Sequence, residues 1–175
     1  MSKQEKKLDE LYDLIEDIEI AMFTTRRPDG RLVSRPMATQ KPIPDADLWF
    51  VTDRETHKLD EIETDPQVNI AYYNGRSREW VSVSGRATIS QDRARIRALY
   101  QPDWRMWFED KGGEKNSGPD DPRLTLVLVE VESAVYAKKT ASGPVALFEL
   151  AKGFATGSQP DVLRVEKLSG ADVSR

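Results

Sequence analysis

The chain has 175 residues, of which 38% are hydrophobic and 32% charged, and its formal net charge at neutral pH is −4. This length is typical of one domain, and no apolar run approaches the roughly 20 residues that a membrane-crossing helix needs. The acidic balance argues against a general nucleic-acid binder. The absence of cysteine excludes disulfides, thiolate nucleophiles and cysteine zinc sites. An N-terminus without a signal-peptide core completes the expectation of a cytoplasmic protein.

The first half of the chain predicts one helix followed by short strands. Apolar residues recur at three- and four-residue steps from Leu8 to Ile18, which predicts an amphipathic helix over about residues 3–19. The next twenty residues predict two strands joined by a Pro-Asp-Gly turn at 28–30. The run DLWFVTD predicts a third strand, and a short helix is expected over about residues 56–64.

The second half predicts three more strands and further helices. PQVNIAYYN and EWVSVSGRATIS have strand patterns, a helix is expected from near residue 91, and KGGEKNSGPDDP is typical of a mobile loop. RLTLVLVEVESAVYAKK is the longest strand-like run, and VALFELAKGFA has helical spacing. Together the elements predict a mainly antiparallel barrel with helices, an α+β fold. We expect one domain over residues 1–157 and a polar tail over 158–175.

The residue types that usually perform catalysis are scarce. His57 is the only histidine, so a multi-histidine metal site is excluded, and no G-x-S-x-G elbow accompanies it for hydrolysis. The glycines form neither a P-loop nor a dinucleotide fingerprint. We therefore name no catalytic residue and no metal ligand, and expect any chemistry to come from a bound cofactor.

The segment LWFVTDRETHKLDEI suggests an anion site. His57 and Lys58 fall in the first turn of a predicted helix, where positive side chains are unfavourable unless an anion balances them. Thr52 and Thr56 could donate hydroxyl hydrogen bonds to the same anion. The pattern is equally consistent with a His-Lys pair that simply faces solvent.

The segment VSRPMATQ forms a second candidate. Pro36 removes one backbone donor, which suits an edge strand or a bulge, and Arg35 places a cation beside it. Met37, Ala38 and Thr39 would then offer backbone groups and a soft apolar surface to a flat ring system. An ordinary edge strand is the alternative interpretation.

Seven arginines lie between residues 76 and 105. A solvated surface accounts for such a charge run most simply, and a local anion site or a dimer contact is the alternative. The set comprises Arg76, Arg78, Arg86, Arg93, Arg95, Arg97 and Arg105.

The chain resembles the bacterial general stress protein 26 family, within the pyridoxamine 5′-phosphate oxidase-like FMN-binding split-barrel superfamily. The matching segments cover most of residues 8–155 and occur in family order: GRLVSRPM, LWFVTDRETHKLDEIETDPQVNIAYY, WVSVSGRATIS, the Trp-Phe pair at 107–108, and DDPRLTLVLVEVESAVY. The resemblance implies a homodimer of six-stranded split barrels with FMN at the subunit interface. FAD remains an alternative flavin.

The resemblance also implies the cofactor-binding residues. His57 and Lys58 match a basic pair that contacts the FMN phosphate, and Trp80 matches a position that reaches the flavin from the other subunit. Trp80 and the ring-covering Trp107 are equally consistent with buried interface aromatics. The implied set is Arg35, Pro36, Met37, Ala38, Thr39, Val51, Thr52, His57, Lys58, Trp80 and Trp107.

Two departures from the family bear on activity. Gln40 stands where true pyridoxamine phosphate oxidases have a lysine, and their C-terminal Arg-x-His is missing, so that oxidase activity is not expected. Tyr136-Ala137-Lys138 replaces a Tyr-Trp-Asp of many stress-protein relatives. The resemblance therefore implies flavin-dependent redox activity on an unknown substrate, with reduced nicotinamide as a possible donor. The alternatives are a non-enzymatic flavin store or redox sensor, and an arginine-rich interaction module, which the acidic charge disfavours.

Overall fold

Seven strands form one antiparallel sheet that curls into a split barrel with helices around it. The computed structural model describes residues 2–140, 143–157 and 162–173. The predicted fold class, a mainly antiparallel six-stranded split barrel with flanking helices, is confirmed, and a seventh strand is added to it. In chain order the elements are α1 (Lys3–Ile18), β1 (Ile20–Arg26), β2 (Leu32–Ala38), β3 (Leu48–Asp53), α2 (His57–Thr64), β4 (Gln67–Tyr73), β5 (Trp80–Ser90), α3 (Arg93–Leu99), a 3₁₀ helix (Pro102–Met106), β6 (Leu124–Lys139), α4 (Gly143–Thr156), β7 (Leu163–Ser169) and a 3₁₀ turn (Gly170–Asp172).

The strand order β2-β1-β4-β5-β6-β3 leaves β2 and β3 as the two ends of the barrel path. Each of these strands has a neighbour on one side only, so the barrel is not closed by a continuous ladder there. The backbone N–H of Gln40 donates to the carbonyl of Trp49 at 3.0 Å, which joins the segment after β2 to β3. We call the open line between β2 and β3 the seam.

The long strand β6 serves two partners along one edge. Its first part, Leu124–Val129, pairs with β3, and its last part, Ser133–Lys139, pairs with β7. Between the two, the backbone N–H of Val131 donates to a carboxylate oxygen of Asp47 at 2.8 Å. The Asp47 side chain thus accepts the hydrogen bond of a β6 backbone N–H that lies between the ends of the β3 and β7 pairings.

The barrel interior is filled by the alternating inward residues of the strands and closed by α1. Ser2 and Glu5 form a capping box that starts α1. The helix buries Leu11, Leu14 and Ile15 against the barrel core. This confirms the amphipathic helix that the leucine spacing predicts.

A second, smaller core lies on the outer side of β3 and β6. It joins Trp49 and Leu126 of the sheet to Ile96 of α3, and to Trp104 and Phe108 of the segment that follows. The indoles of Trp49 and Trp104 pack edge to face, with their centroids 6.2 Å apart. This outer core brings the residues after α3 to the seam.

The expected polar tail contains the additional strand. Strand β7 is held to α1 by ion pairs, because Arg164 contacts Glu10 at 2.5 Å and Lys7 contacts Glu166 at 2.5 Å. The apolar residues of β7 are Leu163, Val165 and Leu168, so the alternation of apolar and polar residues is short and breaks at Lys167. The sequence pattern therefore did not reveal it.

Within the described part of the chain, the side chains of four of the seven clustered arginines make polar contacts. Arg95 pairs with Asp45 at 2.8 Å, Arg97 pairs with Asp120, and Arg86 lies 3.8 Å from Glu132. Arg93 donates to the carbonyl oxygen of Asp121 at 2.9 Å. Within the described ranges, no helix is both long and apolar enough to cross a bilayer.

Gly85 provides a test of the sheet. It sits at the irregularity in the β5–β6 register, and a Cβ there would overlap the carbonyl oxygen of Glu130. We expect Gly85→Ala to lower the free energy of unfolding by about 2 kcal/mol or more, because backbone must move to admit the methyl group. Urea denaturation would measure this. Gly75→Ala is the matched control, since its added methyl group meets nothing within 4 Å, and equal effects of the two would contradict the explanation.

Candidate functional site

A cleft of about 220 Å³ lies at the seam. It is bounded by the end of β2, the end of β3, the start of α2 and the segment that follows α3. The lining residues are Pro36, Met37, Ala38, Gln40, Val51, Thr52, Asp53, Thr56, Lys58, Trp104, Trp107 and Phe108. Seven of the sequence-predicted residues therefore meet in one cleft: Pro36, Met37, Ala38, Val51, Thr52, Lys58 and Trp107.

The start of α2 forms the polar end of this cleft. Helix α2 begins at His57 after Thr56, whose hydroxyl donates to the carbonyl of Asp53 at 2.9 Å. The Lys58 ammonium donates to the hydroxyl of Thr52 at 2.6 Å. Burial, and secondly the charge of Arg35, lower the pKa of Lys58 to about 8. A lysine held this way at a helix N-terminus is suited to an anionic ligand.

The imidazole of His57 points away from the cleft. Its side chain is 97% exposed, and Nδ1 lies 3.9 Å from a carboxylate oxygen of Asp60 in the same turn. The side chain is thus a surface group, as the solvent-facing interpretation predicts. Its backbone N–H still belongs to the first turn of α2.

Arg35 is bound beneath α2. Its guanidinium donates to the hydroxyl of Thr25 at 2.5 Å and to the carboxylate of Glu61 at 2.8 Å. Burial opposes ionisation of Glu61, but the hydrogen bonds from Thr25 and Arg35 and the charge of Arg35 outweigh it and lower the pKa of this carboxyl. Arg35 is not among the residues that line the cleft.

The segment after Pro36 divides between the cleft and the interior. Pro36, Met37 and Ala38 line the cleft, whereas the hydroxyl of Thr39 hydrogen-bonds with that of Tyr72 at 2.8 Å. The Gln40 amide accepts from the indole Nε1 of Trp104 at 2.9 Å. Gln40 is thereby fixed at the cleft.

Aromatic side chains form one wall. Trp104 is buried, Trp107 is 64% exposed, and Phe108 is buried. The Trp107 side chain leaves a large apolar surface open at the mouth of the cleft. The pattern W-x-x-W-F after a short arginine-rich helix was the available signal for Trp104 and Phe108, but it does not tell which rings face a ligand.

A buried ion pair holds the glycine-rich loop behind this wall. Arg123 contacts Asp121 at 2.7 Å, donates to the carbonyl of Glu109 at 2.9 Å, and stacks over the Phe108 ring 5.8 Å from its centroid. Burial of Asp121 is outweighed by hydrogen bonds from Arg123 and the backbone N–H of Ser117, so its pKa falls to about 2. The loop that the sequence predicts as mobile is anchored at its end.

Trp80 lies elsewhere on the same sheet. It pairs with Tyr73 on β4 and Ala137 on β6, and Ala137 pairs with Val165 on β7. These residues form one cross-strand row on the outer face. Of the predicted residues, Arg35, Thr39, His57 and Trp80 do not line the cleft.

A larger surface cleft of about 790 Å³ involves none of the predicted residues. It lies between the loop before β3 and the outer face of β5 and β6. In the part of the chain that the structure describes, no three histidine or acidic side chains gather as metal ligands would. The seam cleft remains the candidate site, with a cationic end and a flat aromatic wall.

Comparison with known proteins identifies relatives over nearly the whole chain. The family model described as "Pyridoxamine 5′-phosphate oxidase like" matches residues 6–161. Protein bli-3 of Neurospora crassa is 33% identical over 172 residues, which cover 97% of this chain and 82% of that protein. General stress protein 26 of Bacillus subtilis is 29% identical over 103 residues, covering 57% of this chain and 68% of that protein.

A solved structure supports the fold assignment. The crystal structure of a pyridoxamine 5′-phosphate oxidase-related, FMN binding protein from Nostoc punctiforme superposes with a TM-score of 0.61 at 15% identity, covering 97% of each chain. Since the family model spans most of the chain and the fungal relative spans nearly all of it, the chain belongs to the pyridoxamine 5′-phosphate oxidase like family.

Proposed function

We propose that the seam cleft binds FMN and that the protein is a flavin-dependent redox protein of the general stress protein 26 type. The proposal rests above all on Lys58, which stands at a helix N-terminus beside an aromatic-lined cleft. The FMN-binding relative from Nostoc punctiforme has the same fold over 97% of its chain. FAD carries the same phosphate-ribityl-ring portion and is the alternative ligand.

The start of α2 would hold the phosphate. Lys58 supplies the positive charge, the Thr52 hydroxyl holds the ammonium in place, and the backbone N–H groups of the first turn add donors. His57 would contribute through its backbone rather than through its exposed imidazole.

The wall of the cleft would hold the isoalloxazine ring. Met37, Val51 and Trp107 offer apolar surface, and the free edge of β2 offers backbone groups for the polar side of a ring. Bound FMN supplies one- and two-electron transfer. The chain's own part is to bind and orient the flavin and to limit solvent access on the aromatic side.

A redox role and a storage or sensing role differ in what else reaches the ring. The side chains of the described cleft include Lys58 and Asp53 as titratable groups, and both belong to its polar end. A donor such as reduced nicotinamide would therefore exchange electrons without a side-chain acid or base beside the ring. The same arrangement would suit a protein that only stores FMN or senses its redox state.

We propose that the working form is a homodimer. The cleft is smaller than the roughly 300–1,000 Å³ of typical ligand sites, so a second chain would complete it. The outer sheet face beside it has three cross-strand rows without a charged residue on β1, β2, β4, β5 and β6. The rows are Ser34-Thr24-Asn69-Ser84-Ser133, Pro36-Met22-Ala71-Ser82-Val135, and Tyr73-Trp80-Ala137.

The face is also exposed. The side chains of Met22 and Tyr73 are 44% and 63% accessible. Pro36 belongs both to this face and to the cleft. The side of an antiparallel sheet that faces solvent is normally polar. A face without charged residues that exposes Met22 and Tyr73 and reaches the cleft is therefore suited to contact with a second copy of the chain.

Removing the Lys58 ammonium tests the phosphate site. We expect Lys58→Ala to weaken FMN roughly ten- to a hundredfold, because a charge-assisted bond is lost, and to leave riboflavin nearly unchanged. Fluorescence titration with the two flavins would measure both affinities. His57→Ala is the matched control from the adjacent position and should change neither by much. Equal weakening of FMN and riboflavin by Lys58→Ala would contradict the assignment.

Turnover distinguishes the redox role from storage or sensing. We expect the FMN-loaded protein to oxidise reduced nicotinamide faster than free FMN at the same concentration, because the cleft orients the ring and leaves one side accessible. Absorbance of the nicotinamide would follow the reaction. A rate equal to that of free FMN would favour the storage or sensing alternative.

A charge on the uncharged face tests the homodimer. Ala71 lies in the middle row, and we expect Ala71→Glu to convert the dimer to monomers, because a carboxylate would have to be desolvated at the interface. Sedimentation equilibrium would give the mass. Thr88→Glu is the control, since Thr88 is exposed on β5 outside the three rows. Wild-type protein of monomer mass, or an Ala71→Glu dimer, would contradict the assembly.

A further inference from the structure

The underside of α2 carries two charged residues one turn apart. Lys58 and Glu61 are separated by three positions and therefore share a helix face. Lys58 reaches Thr52 on β3, whereas Glu61 reaches Thr25 on β1 and Arg35 on β2. The helix is thereby bound to both sides of the seam, to each through a threonine.

Glu61 fixes the direction of Arg35. Its side chain is 8% exposed, and a carboxylate so deeply buried is costly unless it is paired and hydrogen-bonded. Both terminal nitrogens of the Arg35 guanidinium donate here: Nη1 to the Thr25 hydroxyl at 2.5 Å, and Nη2 to the Glu61 carboxylate at 2.8 Å. The guanidinium next to the cleft is thus committed to a protein carboxylate.

We propose that Glu61 is a positioning residue of the anion site: it retains Arg35 beneath α2 and leaves Lys58 as the one lysine or arginine among the described residues that line the cleft. This rests on the proposed function in taking the anion to be the phosphate of FMN. The influence of Glu61 and Arg35 on the charge of Lys58 does not depend on the ligand and can be measured in the ligand-free protein.

The charged groups around Lys58 determine the direction in which each substitution should shift its pKa. Arg35 faces it from β2, Asp53 from the end of β3, and Glu61 from its own helix. Burial lowers the pKa of Lys58 most, the Arg35 charge lowers it further, and Asp53 and Glu61 raise it, with a result of about 8. Removing the carboxylate and removing the guanidinium must therefore act in opposite directions.

Titration of Lys58 in the ligand-free protein tests the proposal. NMR of protein labelled at the lysine side-chain carbons would follow the ammonium, with Lys58→Arg to assign its signal. We expect Arg35→Gln to raise the titration midpoint by about one pH unit and Glu61→Gln to lower it by about as much. The double variant Arg35→Gln with Glu61→Gln should return close to the wild-type midpoint.

If the Glu61–Arg35 pair only stabilised the fold and had no electrostatic effect on Lys58, the result would differ. Both single variants would then lose stability while the Lys58 midpoint stayed in place or moved in the same direction, and either outcome overturns the proposal. Glu61→Gln leaves Arg35 buried without its partner and could fail to fold. In that event the two other variants decide: a raised midpoint in Arg35→Gln that the double variant reverses supports the proposal, and its absence overturns it.

The pH dependence of FMN affinity, measured beside the Lys58 titration, shows whether this proposal or the proposed function fails. Phosphate binding favours protonated Lys58, so FMN affinity should decline as the pH rises above about 8 and level off at the pKa of the bound form. The onset of this decline should move with the midpoint in each variant, and riboflavin affinity should not. Shifted midpoints without FMN uptake would refute the FMN site and leave the influence of Glu61 on Lys58 standing.

Discussion

The attachment of α2 across the seam is the constraint on which the rest of the site depends. A barrel whose end strands share no continuous ladder needs another element to fix their separation. Helix α2 does so with two neighbouring side chains: Glu61 bonds the β1–β2 side through Thr25 and Arg35, and Lys58 bonds β3 through Thr52. The width of the cleft and the position of its cation are therefore set by the same helical turn. Loss of either contact would change both the width of the cleft and the position of the Lys58 ammonium.

The opposite wall is held by a separate set of interactions, so the two halves of the site are built independently. Trp104 belongs to the outer core and fixes Gln40, while Arg123 fixes Phe108 and the backbone of the loop behind it. Gln40, which departs from the lysine of true pyridoxamine phosphate oxidases, here accepts an indole hydrogen bond that a lysine could not accept. The departure is thus matched by a neighbouring tryptophan of this chain.

Much of the fold could be predicted from the sequence, because its helices and barrel strands carry clear apolar periodicities, as in α1 and β6. The seam cleft was also predictable in outline, since Pro36, Lys58 and Trp107 lie in it. The partner of Arg35 was not, because Glu61 is 26 positions away and is one of three acids in a short charged helix. Likewise β7 escaped prediction because its apolar alternation is short, and its ion pairs join it to α1, more than 150 positions away along the chain. Long-range polar contacts leave no local periodicity to detect.

The hydrogen bond from Val131 to Asp47 has a consequence for solubility. Between β3 and β7, the edge of β6 would otherwise present an unsatisfied donor, and open strand edges are where separate chains begin to pair with one another. The Asp47 carboxylate satisfies that donor and brings a negative charge to the gap, which disfavours the approach of another strand. A single side chain thereby protects the longest strand of the sheet from aggregation at the point where its edge changes partners.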